Sequence, residues 1–168
     1  MPFWSQKKSP EPADAARALR DAALSSPAQD LGLAPNAEHP NVFGFMMETG
    51  YPEAVATLSV FTEGSTSLYF SNGGGVIGAG QHESVRRTHP ALFREAEAQL
   101  AAFTPVEDTR LPAVGRVRIY LRTFGGTVSA EADEQDLGHM RHQLSTLFHA
   151  AHATIAAVRE TSTGARAV

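Results

Sequence analysis

Arg116-Val117-Arg118-Ile119-Tyr120-Leu121-Arg122-Thr123-Phe124-Gly125-Gly126-Thr127-Val128-Ser129-Ala130-Glu131-Ala132 reads as two β-strands about a tight turn. Successive side chains of a strand point to opposite faces, so Val117, Ile119 and Leu121 share one face and Arg116, Arg118, Tyr120, Arg122 and Phe124 the other. Gly125-Gly126 has the composition of a two-residue hairpin turn. That turn sets Thr123, Leu121 and Ile119 opposite Val128, Ala130 and Ala132, with Tyr120 opposite Glu131 and Arg122 opposite Ser129. A ribbon with one apolar face needs a layer against it, and this requirement decides the architecture.

Upstream, a second ribbon is expected. Strands over 42–48, 54–62 and 66–71 are separated by Thr49-Gly50-Tyr51-Pro52-Glu53 and by a loop at Glu63-Gly64-Ser65. The three-residue loop is preferred because it pairs Leu58 with Phe70 and Val60 with Leu68, apolar with apolar. If the two ribbons share a sheet, Phe61 and Tyr69 join the arginine-bearing face. The layer comes from amphipathic helices. One is capped by Asp14 and runs to about Leu24 with Ala15, Ala18, Leu19, Ala22 and Ala23 on its packed stripe. Another starts near Pro90 and carries Phe93, Ala96, Leu100 and Phe103 at helical spacing. The last begins at the acidic turn Asp133, Glu134 and Asp136 and extends to about Arg159 along Leu137, Met140, Leu144, Leu147, Ala151, Ile155 and Val158.

The expected fold is therefore α+β: a single domain over 13–160, with a roughly five-stranded antiparallel sheet and about three helices in the order α-β-β-β-α-β-β-α. Residues 1–12 read as a flexible arm and 161–168 as a flexible tail. In element order alone the chain resembles profilin-like and roadblock-like modules, a resemblance that implies a fold and no activity.

Composition narrows the function classes. The 168 residues include no cysteine, which excludes disulfides, thiolate metal sites and a catalytic thiol. A formal net charge of -4 argues against wholesale nucleic-acid binding, which needs clustered Lys and Arg. Lysine occurs only at Lys7 and Lys8 and alanine is abundant, a usage typical of GC-rich bacterial genomes. No stretch approaches the ~20 apolar residues of a membrane span, and none follows Lys8 as a signal-peptide core, so a soluble cytoplasmic protein is expected.

Three features are candidates for chemistry. Ser71-Asn72-Gly73-Gly74-Gly75-Val76-Ile77-Gly78-Ala79-Gly80 holds five glycines between 73 and 80, and such a loop lets another group touch the main chain. It matches the spacing of a dinucleotide fingerprint but follows an antiparallel meander and lacks a Walker lysine. A looser anion or small-molecule site would use Asn72, Gly73, Gly74, Gly75, Gly78 and His82. The last helix presents His139, His142, His149 and His152 on one polar face, where i, i+3 pairs could meet a metal only with a third ligand from elsewhere. Neither a metal nor another cofactor is assigned. The second sheet face, with Phe61, Tyr69, Arg118, Tyr120, Arg122 and Phe124, combines residue types favoured at interfaces. It reads as an exposed face, a surface covered by the N-terminal helix, or a contact with a second subunit.

No nucleophile has a matching base, Ser71 with His82 or His89 being the only suggestive set, and Glu48 stays unassigned. The function expected is a non-catalytic binding or protein-interaction module that homodimerises. The alternative is a small-molecule or anion site, or a modest enzyme, at the 73–80 loop.

Overall fold

A computed structural model describes residues 11–164. Strands β1 (Val42–Gly50), β2 (Val55–Phe61) and β3 (Thr66–Phe70) form the meander, and β6 (Arg116–Thr123) with β7 (Gly126–Asp133) forms the hairpin. Two short strands, β4 (Gly75–Val76) and β5 (Thr104–Pro105), close the edges, so the single antiparallel sheet has seven strands rather than five, in the order β4-β3-β2-β1-β6-β7-β5. The ribbons meet at β1 and β6, which pair antiparallel. β1 is buried along its whole length because it is apolar on both sides. Phe45 and Met47 enter one core and Phe43 and Met46 the other, with a register shift between Val42 and Gly44 resetting the alternation.

The helices are α1 (Pro12–Ser25), α2 (Glu83–Arg86), α3 (His89–Ala98), α4 (Glu134–Gly138) and α5 (Ser145–Gly164). The main core joins Leu58, Leu68, Ile119 and Leu121 of the sheet to Leu92, Phe93 and Ala96 of α3 and Leu144, Leu147 and Ala151 near the start of α5. Both ribbons therefore share one apolar underside. The opposite face carries a smaller core of Phe43, Met46, Phe61 and Tyr120 beneath Ala23 and Leu24 of α1.

Several expectations need correction. The meander loop has three residues but lies one position earlier, with Leu58 opposite Leu68 and Ala56 opposite Phe70. Thr62, the expected last residue of the second strand, lies in the loop, and its N–H donates to Phe43 O of β1 at 3.0 Å. The hairpin turns at Phe124-Gly125, which puts Leu121 opposite Val128, Tyr120 opposite Ser129, Arg122 opposite Thr127 and Arg118 opposite Glu131. Both registers move by two residues, so every side chain keeps its expected face.

The final helix is interrupted. Met140 adopts φ 57°, in the left-handed region, and is 59% exposed rather than buried. The α5 start is then capped by His142, whose Nδ1 accepts from Leu144 N at 3.0 Å while Ser145 Oγ accepts from His142 N at 3.2 Å. α5 continues to Gly164, past the end expected at Arg159. The N-terminal arm expected over 1–12 lies outside the described residues up to position 10, and Pro12 is already helical. Asp14 is not the cap of α1: Glu11 holds that position without a side-chain capping hydrogen bond, and Asp14 pairs with Arg17 at 3.4 Å. No helix among the described residues is long and apolar enough to cross a membrane.

Candidate functional site

The stripe that α1 turns toward the sheet explains how the second face is organised. Ala16, Arg20 and Ala23 point inward, while Ala15, Ala18 and Ala22, expected on that stripe, are exposed. Arg20 sets this rotation. Glu48, wholly buried in the middle of β1, accepts from Arg20 Nε at 2.5 Å and from Arg20 Nη2 at 3.0 Å. Thr57 Oγ1 of β2 donates to the same carboxylate at 3.3 Å. Burial disfavours the Arg20 cation, yet the hydrogen bond and charge of Glu48 more than offset this and raise its pKa. Small alanines on either side let the helix approach closely enough for this bidentate pair.

Two further arginines hold the cover in place. Arg122 Nη1 donates to Ala23 O at 2.6 Å and Nη2 to Ser26 O at 2.9 Å, satisfying carbonyls that the end of α1 leaves open. Its guanidinium also lies 5.1 Å from the centre of the Phe43 ring. Arg118 donates to Arg110 O at 2.7 Å, to Asp108 at 3.1 Å and to Glu131 at 3.2 Å, fastening the 106–115 loop to the sheet. The carboxyl of Asp108 is held far below the usual carboxylate range by hydrogen bonds from Arg110 and Arg118.

The residues singled out on this face are thus largely interior. Phe61, Tyr69, Tyr120 and Arg122 are buried, Phe124 stacks at 5.3 Å from Phe43, and the side chain of Arg118 is 14% exposed. What covers them is the chain's own α1 and the loops 26–33 and 106–115.

The cover is incomplete. Between α1, the ends of β2 and β3, and Leu111 lies a chamber of about 250 Å³, walled by Ala13, Ala16, Arg17, Arg20, Asp21, Thr57, Tyr69 and Ser71. Tyr69 is 3% exposed, and its hydroxyl, fully out of solvent, has no hydrogen-bond partner. Burial, then the nearby Glu48 charge, pushes the phenol well above its ordinary pKa, so it is a neutral donor without an acceptor. Leaving such a group unmet costs about 1–3 kcal/mol.

The glycine loop is explained by the chain itself. A Cβ at Gly73 would run into Pro12 of α1, one at Gly75 into Leu68 O and Tyr69 of β3, and one at Gly80 into the carbonyl of Gly64 at the hairpin tip. The close approach read from the sequence exists at these three glycines, and the approaching groups are the Pro12 ring and neighbouring backbone, whereas Gly74 and Gly78 face open space. Asn72 and His82 are exposed, and neither the chamber nor the larger cavity described next is walled by Asn72, Gly73, Gly74, Gly75, Gly78 or His82.

That larger cavity, about 730 Å³, lies between Ala37–Pro40, the tip Thr62–Gly64 and α3. Its wall includes His39, whose Nδ1 is buried without a hydrogen-bond partner, while Glu97 and His89 are engaged. Glu97 accepts from Asn41 N, Asn41 Nδ2 and Val42 N, and Thr66 Oγ1 donates to Gly64 O, so it accepts from His89 Nε2 at 3.0 Å. Its unpaired cation, Arg94, is solvated. Each cavity thus has one wall residue with a buried polar atom lacking a hydrogen-bond partner, Tyr69 through its hydroxyl in the smaller and His39 through Nδ1 in the larger.

The histidine row is dispersed by the break at Met140. His142 caps α5, His149 Nε2 meets Gly138 O at 3.2 Å, and His152 packs 4.4 Å from the Phe148 ring. Among the described residues no group of three or more His, Asp or Glu side chains could hold a metal ion. Glu48 was the residue that sequence reading missed. A lone carboxylate in an otherwise apolar strand, with one arginine on a small-sided helix, was the available signal.

Compared with known proteins, the chain matches no family model, and no curated protein or solved structure is significantly similar to it.

Proposed function

We propose that the protein is a non-catalytic binding module whose ligand is a small molecule held in the chamber under α1. The observation that carries this reading is Tyr69, a chamber-wall residue whose hydroxyl is buried without a partner, beside a pre-ordered Arg20, Glu48 and Thr57 network. A ligand acceptor would complete it once the phenol turns toward the cavity, since the hydroxyl is otherwise out of solvent. Support for a binding rather than a catalytic role is local. Both oxygens of Glu48 are engaged, the Ser71 oxygen accepts from Val55 N at 2.8 Å, and no histidine is in the chamber wall.

The test follows thermal stability of the wild type and Tyr69→Phe against amino acids, monocarboxylates, amines and polyols. A ligand at a hundredfold excess over its Kd stabilises by ~2.7 kcal/mol. Removing an unmet hydroxyl should leave the free protein as stable as before or more so, while cutting the shift from any compound bound in the chamber. If Tyr69→Phe loses more than about 1 kcal/mol, the hydroxyl has an internal partner and the carrying observation goes. Shifts indifferent to Tyr69, or none with any class, also reject the reading.

Homodimerisation is the second reading, favoured by large apolar side chains at the surface: Ile77 is 64% exposed and Val114 63%. It would use a surface other than the face that α1 covers. A strict monomer by light scattering at micromolar concentration removes it.

A further inference from the structure

We propose that α1 is a hinged lid on the chamber, which opens from its N-terminal end while its C-terminal end stays clasped to the sheet. This rests on the chamber being the binding site only for what the opening admits. The two ends of the helix are held differently. At the C-terminal end Ala23 and Leu24 pack with Phe43, Met46, Phe61 and Tyr120, and Arg122 donates to Ala23 O at 2.6 Å and to Ser26 O at 2.9 Å. From Pro12 to Ala22 no side chain joins either apolar core, and Ala16 is the single buried residue. Pro12 abuts Gly73, and the bonds to the body of the protein come from Arg20, to Glu48 and to Thr109 O.

Such a latch fixes direction yet releases at small net cost. Swinging this stretch outward returns both Arg20 and Glu48 to water, and the hydration they regain offsets most of the attraction they lose. Little apolar surface goes with them, because alanine buries a single methyl group. Across the chamber the sheet side of the wall is Thr57, Tyr69 and Ser71, each with a hydroxyl that water can meet. By contrast, α3 and α5 bury Leu92, Phe93, Leu144 and Leu147, so they stay in place until the whole fold gives way. Five of the nine residues of the chamber wall, Ala13, Ala16, Arg17, Arg20 and Asp21, belong to the lightly held stretch. Its departure opens the chamber along one side and brings solvent to the Tyr69 hydroxyl, which the closed form keeps out of reach.

Amide hydrogen exchange resolved by residue tests this on the full chain, with no ligand needed. Away from the sheet so short a helical stretch does not persist in water, so opening appears as exchange. Amides from Ala16 to Ala22 should share one protection factor within about threefold, about a hundredfold or more below that of β6, and respond little to urea below the unfolding transition. Arg20→Lys keeps the charge but loses the paired geometry, and should speed exchange both there and in β6 by about tenfold, because the latch is absent from the open and the unfolded states alike. Arg122→Lys should speed exchange in β6 and leave residues 16–22 unchanged, because the clasp survives opening. Exchange at 16–22 that follows β6 in urea, or that Arg122→Lys accelerates as much as β6, means that α1 leaves only with the rest of the fold and overturns the lid. A graded loss of protection toward Pro12 is end fraying and overturns it too. The chamber reading fails separately, on ligand shifts indifferent to Tyr69, which this experiment does not use.

Discussion

Glu48 illustrates how one buried charge organises its surroundings. A carboxylate with no exposed surface is tolerable only if its charge is matched and its oxygens accept, and Arg20 and Thr57 meet both conditions. Replacing Glu48 by Gln leaves Arg20 without its counter-charge, and a loss of about 3 kcal/mol is expected from urea denaturation. Changing both partners together, Arg20→Met with Glu48→Leu, should recover most of that loss. Histidine supplies a pH dependence. His89 is held below the ordinary histidine pKa by burial and then by Arg86, and His152 by burial, His149 and Arg159. The unfolded chain therefore binds protons that the native state refuses, so stability is full above about pH 6.5 and falls as pH drops through that value, levelling off below the native pKa values. Melting temperatures between neutral and mildly acidic pH should show this decline, and His89→Gln should reduce its slope.

The break between α4 and α5 shows what an apolar stripe cannot reveal. Leu137 and Leu144 lie seven residues apart and both are buried, so the stripe reads as continuous although the backbone is not. Met140 takes the left-handed conformation instead, while Arg141 N donates to Asp136 O at 2.8 Å and closes the turn. A left-handed residue other than glycine costs ~1–2 kcal/mol, and the exposed Met140 side chain returns little packing. Met140→Gly is expected to stabilise by about 1 kcal/mol in chemical denaturation. A loss instead would mean that the turn draws its stability from the methionine side chain.

Across the molecule, the two sheet faces are covered in different ways. The lower face is closed by α3 and α5 through large apolar side chains. The upper face is closed by a small-sided helix that three arginines hold, directly or through the loop beside it. Arg122→Ala removes the donors that meet Ala23 O and Ser26 O and should cost at least about 2 kcal/mol. Because the face is covered within one chain, the midpoint of that variant and of the wild type should not depend on protein concentration through this contact. A midpoint that rises with concentration in the wild type but not in Arg122→Ala would place a second subunit on the face.

The chain alone determined which residues look up and which look down. Side-chain direction alternates along a strand, so Ile119 had to share a face with Leu121, and Leu58 with Val60, wherever the turns fell, and both hairpins slipped by two residues without exchanging faces. Local patterns also placed α3, the acidic start of α4 and the strands of both ribbons. The sites of the turns were decided by contacts far away in sequence: Thr62 binds β1, and Phe124 leaves β6 to stack on Phe43. The pairing of β1 with β6, the rotation of α1 and the chamber with its unmet Tyr69 were likewise beyond local reading. Each depends on groups that meet only after folding, as Arg20 meets Glu48 across 28 residues of chain, and no periodicity records that encounter.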